Sequence, residues 1–180
     1  MQWSVIIFIK RIIIWSSIFS AEQPALAQLL FLILKKEYMA NKLTAKMEAT
    51  INAPVSKVWR AFTDPAMIKQ YMFGTDTVTD WKKGSIISYS GVWNGKEYHD
   101  KGTIVDIVPE QRLHTTFFSS MSGKEDKPEN YANVIYEVRP GGGNSIVTIT
   151  QDNIATEAEL EHMKQNWGVV LEGMKKLLEK

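Results

Sequence analysis

Residues 156–180 read TEAELEHMKQNWGVVLEGMKKLLEK, and this stretch decides the fold. Leu160, Met163, Trp167, Val170, Leu171, Met174, Leu177 and Leu178 recur at steps of three and four. That spacing draws one broad apolar stripe along an α-helix. Glu157, Glu159, Glu161, Lys164, Lys175, Lys176 and Glu179 take most of the other face. Thr156 and Glu159 fit a capping box, in which the hydroxyl accepts the amide three residues on and the carboxylate reaches back to the N-cap amide. Acids gather in the first turns and lysines in the last, the order the helix dipole favours. A helix of about six turns needs a wide apolar surface to receive its stripe.

Upstream, the sequence predicts that surface as a sheet. From Gly74 the apolar period becomes two, with expected strands at 78–81, 85–93, 96–108, 112–119, 132–139 and 145–153. Asn94-Gly95 between two β-like runs is the strongest hairpin signal, because a type I′ turn needs positive φ at both residues. Short links without helices imply antiparallel neighbours. Residues 119–130 (SSMSGKEDKPEN) form the one long polar connection, expected to be neither helix nor strand. Loops of this kind often carry function, and a solvated hairpin loop is the simpler reading. Residues 44–53 alternate as a first strand. Pro54 then suits a helix start, followed by Val55, Val58, Trp59 and Phe62 at helical spacing. Asp64-Pro65 breaks that helix, and Met67, Ile68, Tyr71 and Met72 begin another. The order β-α-α-β6-α predicts an α+β domain with a curved antiparallel sheet around the C-terminal helix. Such a sheet leaves an apolar cavity between helix and strands, the default place for a ligand.

The chain has 180 residues, enough for one well-buried domain. A formal charge of +1 and the lack of any Lys/Arg cluster give no argument for nucleic acid. There is no cysteine, which excludes disulfides, thiolate nucleophiles and Cys-based zinc sites. His99, His114 and His162 are too scattered for a ligand pair. No phosphate loop, dinucleotide fingerprint or calcium loop is present, so no cofactor or metal is expected.

Residues 1–40 differ from the rest. Two apolar runs, 5–19 and 25–34, are interrupted by Lys10 and Arg11 or fall short of the span a membrane helix needs. Ala25-Leu26-Ala27 has the form of a cleavage site, but another apolar run follows it. Met39-Ala40-Asn41-Lys42 resembles a natural start. Three readings stay open: a start placed too early, a signal peptide or interfacial helix, and a membrane anchor. The expected division is an extension over 1–40 and a domain over 41–180. The domain is expected in the cytoplasm, with membrane association only through residues 1–38.

Residues 53–65 (APVSKVWRAFTDP), 101–113 (KGTIVDIVPEQRL) and the pattern of Trp167, Gly168, Leu171, Met174 and Leu177 resemble the START-like (SRPBCC, helix-grip) superfamily. Within it, the chain is similar to the activator of Hsp ATPase homologues over 44–180. The resemblance implies a helix-grip fold with a hydrophobic cavity. Tyr71 stands where family members usually place tryptophan, which alters one expected pocket wall. The co-chaperones that name the family carry a separate N-terminal chaperone-binding domain, and the apolar extension does not resemble it.

Trp59, Tyr71, Trp93, Phe117, Tyr136, Trp167 and Met174 are the candidate ligand-binding residues, with Trp167 foremost as the mid-stripe aromatic. Aromatics supply large apolar area with a few polar handles, and core packing is the plainer account of any single one. Glu97-Tyr98-His99-Asp100 places four polar or titratable side chains in a row. On a strand either Tyr98 with Asp100 or Glu97 with His99 faces inward. Tyr98, His99 and Asp100 are therefore weak catalytic candidates, beside the plainer reading of a polar hairpin flank. His114 is expected to face solvent, and Asp106 and Glu137 to point outward. The serines of 119–130 lack a Gly-x-Ser-x-Gly elbow or an evident base.

The expected function is non-catalytic binding of a small hydrophobic or amphipathic ligand. Two alternatives are an acid/base enzyme of the cyclase, dehydratase or hydrolase type and a chaperone-partner module.

Overall fold

The computed structural model describes residues 28–29 and 42–180. The expectations for residues 1–38 lie outside the described residues, apart from the exposed helical Gln28 and Leu29. Residues 42–180 form a unit of their own. Among the described residues no helix is long and apolar enough to cross a membrane.

The elements run β1 (Leu43–Ile51), α1 (Val55–Thr63), α2 (Pro65–Tyr71), β2 (Asp76–Val78), β3 (Ile86–Trp93) and β4 (Lys96–Val108). They continue with β5 (Arg112–Phe117), β6 (Ala132–Pro140), β7 (Ser145–Ile154) and α3 (Glu157–Leu178). The strands make one seven-stranded sheet in the order β1-β7-β6-β5-β4-β3-β2, with every neighbouring pair antiparallel. The order anticipated from the sequence, one strand, two helices, six strands and a long helix, is the order observed.

Local chemistry explains the boundaries. Asn94 and Gly95 both take positive φ, 50° and 75°, and close the β3–β4 hairpin with Trp93 opposite Lys96. The strand expected at 78–81 sits instead at 76–78, because Trp81 turns into the left-handed region at φ 58°. β5 stops at Phe117 rather than 119, and Phe118 makes only an isolated bridge to Lys101. The long loop does contain a helical element, a single 3₁₀ turn over Pro128–Asn130. At α3, Thr156 Oγ1 accepts from the Glu159 amide at 3.1 Å. The Glu159 carboxylate returns to the Ala155 amide at 3.0 Å, one residue before the N-cap where the capping box places it. Asp64 both ends α1 and caps α2, its Oδ1 accepting from Ala66 at 2.9 Å.

The sheet bends along β4. Its first half pairs with β3 up to Thr103, and its second half pairs with β5 from Ile104, with a register shift between Ile104 and Asp106. Gly102 lies in the bend, where an added Cβ would stand 1.7 Å from the Thr116 carbonyl oxygen. Where the ladder is interrupted, Thr116 Oγ1 accepts from the Thr103 amide at 2.9 Å.

α3 is held at two ends. Near its start Leu160 packs with Ala45 and Ile154. Towards its end Val170, Leu171, Met174 and Leu178 enter the main core with Ile51, Val58, Phe62, Val147 and Ile149. Its C-terminus is tied back polarly, with Lys57 Nζ donating to the Leu178 carbonyl at 2.6 Å and the Asn52 amide to Glu179 Oε1 at 2.7 Å. Gly173 lets α2 come close, since its Cβ position is 3.3 Å from Tyr71. Between the two supports, Met163 and Trp167 stay half-buried.

Two glycine replacements should move stability in opposite directions. Gly102→Ala should cost about 2 kcal/mol or more, because backbone stands where the methyl would go. Gly168→Ala, mid-helix with nothing within 4 Å of its Cβ position, should gain about 0.5–1 kcal/mol. Thermal denaturation of the two variants reads both signs.

Candidate functional site

The half-buried stretch of α3 roofs a cavity of about 300 Å³. Met163, Asn166, Trp167 and Val170 face it at helical spacing. The concave sheet supplies the opposite wall: Tyr89, Thr115, Phe117, Val134, Tyr136 and Gln151 from β3, β5, β6 and β7. Trp93, Tyr98 and Asp100 close one side from the β3–β4 hairpin. Met72, Phe73 and Thr75 come from the turn after α2, and Met121 from the long loop. The floor is fully buried, with Thr115 at 1% and Val134 at 3% exposure. The mouth is open, with Phe73, Trp93 and Met121 all near half exposed.

Phe73 reaches the mouth by an uncommon backbone. It takes φ 52° before Gly74 at 78°, and its ring meets Trp93 edge-on with centroids 5.6 Å apart. Tyr136 and Trp167 meet edge-on at 5.8 Å, and Tyr89 and Phe117 at 6.0 Å. Such pairs stiffen the walls beyond simple area burial.

Polar groups are few. Trp167 Nε1 donates to Gln151 Oε1 at 3.0 Å, which fixes the indole across the roof. The Tyr98 and Thr75 hydroxyls are 2.7 Å apart. Tyr98 lies over Gly91, whose Cβ position is 2.7 Å from the phenol oxygen, so the missing side chain makes room for the ring. Burial pushes the Tyr89 phenol up, and a hydrogen bond with Thr115 pulls the other way. Asp100 Oδ1 accepts from both the Ser120 amide at 2.8 Å and the Ser120 hydroxyl at 3.0 Å. Ser120 Oγ in turn accepts from the His99 amide at 3.0 Å. This knot fastens the long loop to β4.

Of the candidates read from the sequence, Trp93, Phe117, Tyr136 and Trp167 come together around the cavity, joined by Tyr98 and Asp100. The inward pair is thus Tyr98 with Asp100, while Glu97 and His99 are exposed on the other face. Three candidates lie elsewhere. Trp59 packs edge-on against Phe62 at 6.0 Å. Tyr71 is buried beneath α3 and donates to the Ala61 carbonyl at 2.8 Å. Met174 is wholly buried in the core two turns beyond Trp167. His114 lies on the outer face of β5, opposite the buried Leu113 and Thr115, partly exposed and with Nε2 2.9 Å from Asn133 Oδ1. Asp106 does point outward, paired with Arg112, and Glu137 is exposed. Gln151 was missed, although it shares a strand face with Val147 and Ile149 and so reads as an inward polar residue. Phe73, Thr75 and Met121 carry no periodic signal. Among the described residues no group of three His, Asp or Glu side chains is arranged to hold a metal.

The curved sheet, the gripping helix and the cavity between them define a helix-grip protein of the START-like class. The model for the family "Activator of Hsp90 ATPase homolog 1-like protein" matches residues 52–179, and the chain belongs to that family. Among solved structures, ChR145 from Cytophaga hutchinsonii is similar at 47% identity and TM-score 0.69, over 77% of this chain and 94% of that one. The fold is shared with the Aha1 dimer from Colwellia psychrerythraea, at 18% identity and TM-score 0.59, over 76% and 96% of the two chains. It is also shared with CalU16 from Micromonospora echinospora, at 18% identity and TM-score 0.56, over 77% and 85%. Comparison with curated proteins finds no match.

The loop that brings Met121 to the mouth is clasped at its neck. Phe118 stacks on Tyr131 at 5.2 Å, Tyr131 Oη donates to Asp126 at 2.7 Å, and Lys101 pairs with Asp126. The Lys101 hydrogen bond holds the Asp126 carboxyl below its usual range, and the Asp126 hydrogen bond raises Lys101. A depressed carboxyl pKa means the tie is complete above the ordinary aspartate value and is lost as pH falls through the lowered one. A raised lysine pKa means it persists through the ordinary lysine range and is lost only as pH rises beyond that. Acidification below about pH 4 should therefore loosen residues 121–127. Asp126→Asn should loosen them at neutral pH, as read by backbone NMR relaxation.

Proposed function

We propose that the chain binds a small hydrophobic or amphipathic molecule in the cavity between α3 and the sheet, without transforming it. The observation that carries this reading is the cavity itself: about 300 Å³, walled by aromatic and aliphatic side chains and open beside Phe73 and Trp93. Burial drives affinity here, at roughly 25 cal/mol for each Å² of apolar ligand surface removed from water. Trp167 is the central contact, since its ring is fixed by Gln151 and by Tyr136 before any ligand arrives.

A second reading is acid/base catalysis on a bound ring by Asp100 with Tyr98. It is favoured by the inward placement of both side chains. Asp100 Oδ1 is engaged by the Ser120 amide and hydroxyl, and Ser120 Oγ accepts from the His99 backbone amide, so both groups are occupied in fastening the loop. The family description supports a third reading, stimulation of a chaperone ATPase, which an ATPase assay with the purified chain tests directly.

Native mass spectrometry of the gently purified 180-residue chain tests the leading reading. A mass excess that disappears on denaturation is expected, and Trp167→Ala should reduce its occupancy at least several-fold. An apo mass that persists after incubation with hydrophobic extracts would overturn ligand carriage. Turnover of a carried molecule that Asp100→Ala abolishes, with binding retained, would favour the enzyme instead.

A further inference from the structure

Several polar groups on the cavity wall are spent within the protein, and Tyr136 and Gln151 are among those that keep a free donor. Tyr98 pairs with Thr75, and Tyr89 with Thr115. Tyr136 is only 8% exposed and lines the cavity, yet among the described residues its hydroxyl has no hydrogen-bond partner. Gln151, 6% exposed, sits diagonally across the β6–β7 ladder from it, since Tyr136 pairs with Ile149 and Gln151 with Val134. An indole nitrogen can only donate, so the Trp167 bond fixes Oε1 as the acceptor and leaves Nε2 as a donor. Among the described residues that Nε2 has no acceptor. Neither atom is among the fully enclosed unpartnered polar atoms, so each stays accessible to a molecule in the cavity, where an acceptor would complete it.

The rest of the wall narrows the chemistry. Among the described residues no cationic side chain lines the cavity, and Asp100 is the one lining carboxylate. An anionic ligand would enter an apolar space with no counter-charge and a like charge nearby. Burial pushes the Tyr136 phenol well above its ordinary range, so it stays protonated and donates.

We infer that the cavity selects an uncharged, largely apolar molecule bearing a carbonyl oxygen that accepts from the Tyr136 hydroxyl and the Gln151 amide. A carbonyl offers two lone pairs and no hydrogen, so one oxygen can accept from both donors. This rests on the proposed ligand-binding role and adds the class of molecule.

Three probes of one shape test it: 2-acetylnaphthalene, 2-ethylnaphthalene and 2-naphthoate, titrated into the full chain and followed by amide NMR shifts. The ketone should bind about 5–10-fold more tightly than the hydrocarbon, the gain of one or two neutral hydrogen bonds, and more tightly than the carboxylate. Tyr136→Phe should erase most of that advantage and leave the hydrocarbon within about 2-fold, because it removes the hydroxyl and keeps the ring. Equal binding of ketone and hydrocarbon, tightest binding of the carboxylate, or an equal loss for both neutral probes in Tyr136→Phe would overturn the carbonyl inference while leaving an apolar binding cavity. Binding of none of the three would overturn both.

Discussion

Everything in this domain depends on how α3 is supported. Its apolar stripe is continuous in sequence, but the stripe is not buried evenly. Leu160 anchors one end against Ala45 and Ile154, and Val170 to Leu178 anchor the other in the main core. The middle spans a concave sheet that bends away from it. Side chains at the ends reach the sheet and exclude water. Met163 and Trp167, at the middle, face a gap that they do not fill. The cavity is the consequence of laying a straight helix on a curved surface.

That curvature is made locally. β4 changes partner from β3 to β5 within a few residues, and Gly102 lets the Thr116 carbonyl come where any Cβ would stand. Gly91 does the corresponding service for the site, because the Tyr98 ring occupies its missing side-chain volume. The same hairpin carries Asp100, whose bonds to Ser120 hold the long loop and hence Met121 at the mouth. Fold-forming and site-forming features are thus the same few residues, so loss of the bend would also displace the wall.

The site is chemically quiet. Its polar atoms are phenols, hydroxyls and amides paired mainly with one another, and the one carboxylate among the described lining residues is fastened by backbone and hydroxyl donors. In the proposed binding role, such a wall would hold a ligand by area and orient it by one or two hydrogen bonds. Membership of the Hsp90 ATPase activator-like family agrees with the architecture. The fold hosts proteins of different kinds, so the architecture alone does not set the function.

Much of the fold was legible in the chain alone because it follows from local rules. Helical spacing from Leu160 to Leu178, the capping Thr156, Asn94-Gly95 and the change to period two are properties of neighbouring residues. They determined the element order and the α+β class. The site was only partly legible. Trp93, Phe117, Tyr136 and Trp167 were identifiable as inward aromatics, but so were Trp59 and Met174, which pack against other parts of the core. Which of Tyr98–Asp100 or Glu97–His99 faces inward depends on the register and curvature of β4, both set by partners distant in sequence. Phe73, Thr75 and Met121 reach the cavity from connections whose path no periodicity encodes. Sequence by itself determined that a long helix would be gripped by a sheet. Tertiary structure alone decided where the grip leaves space, because a void depends on the mismatch between two surfaces and belongs to neither.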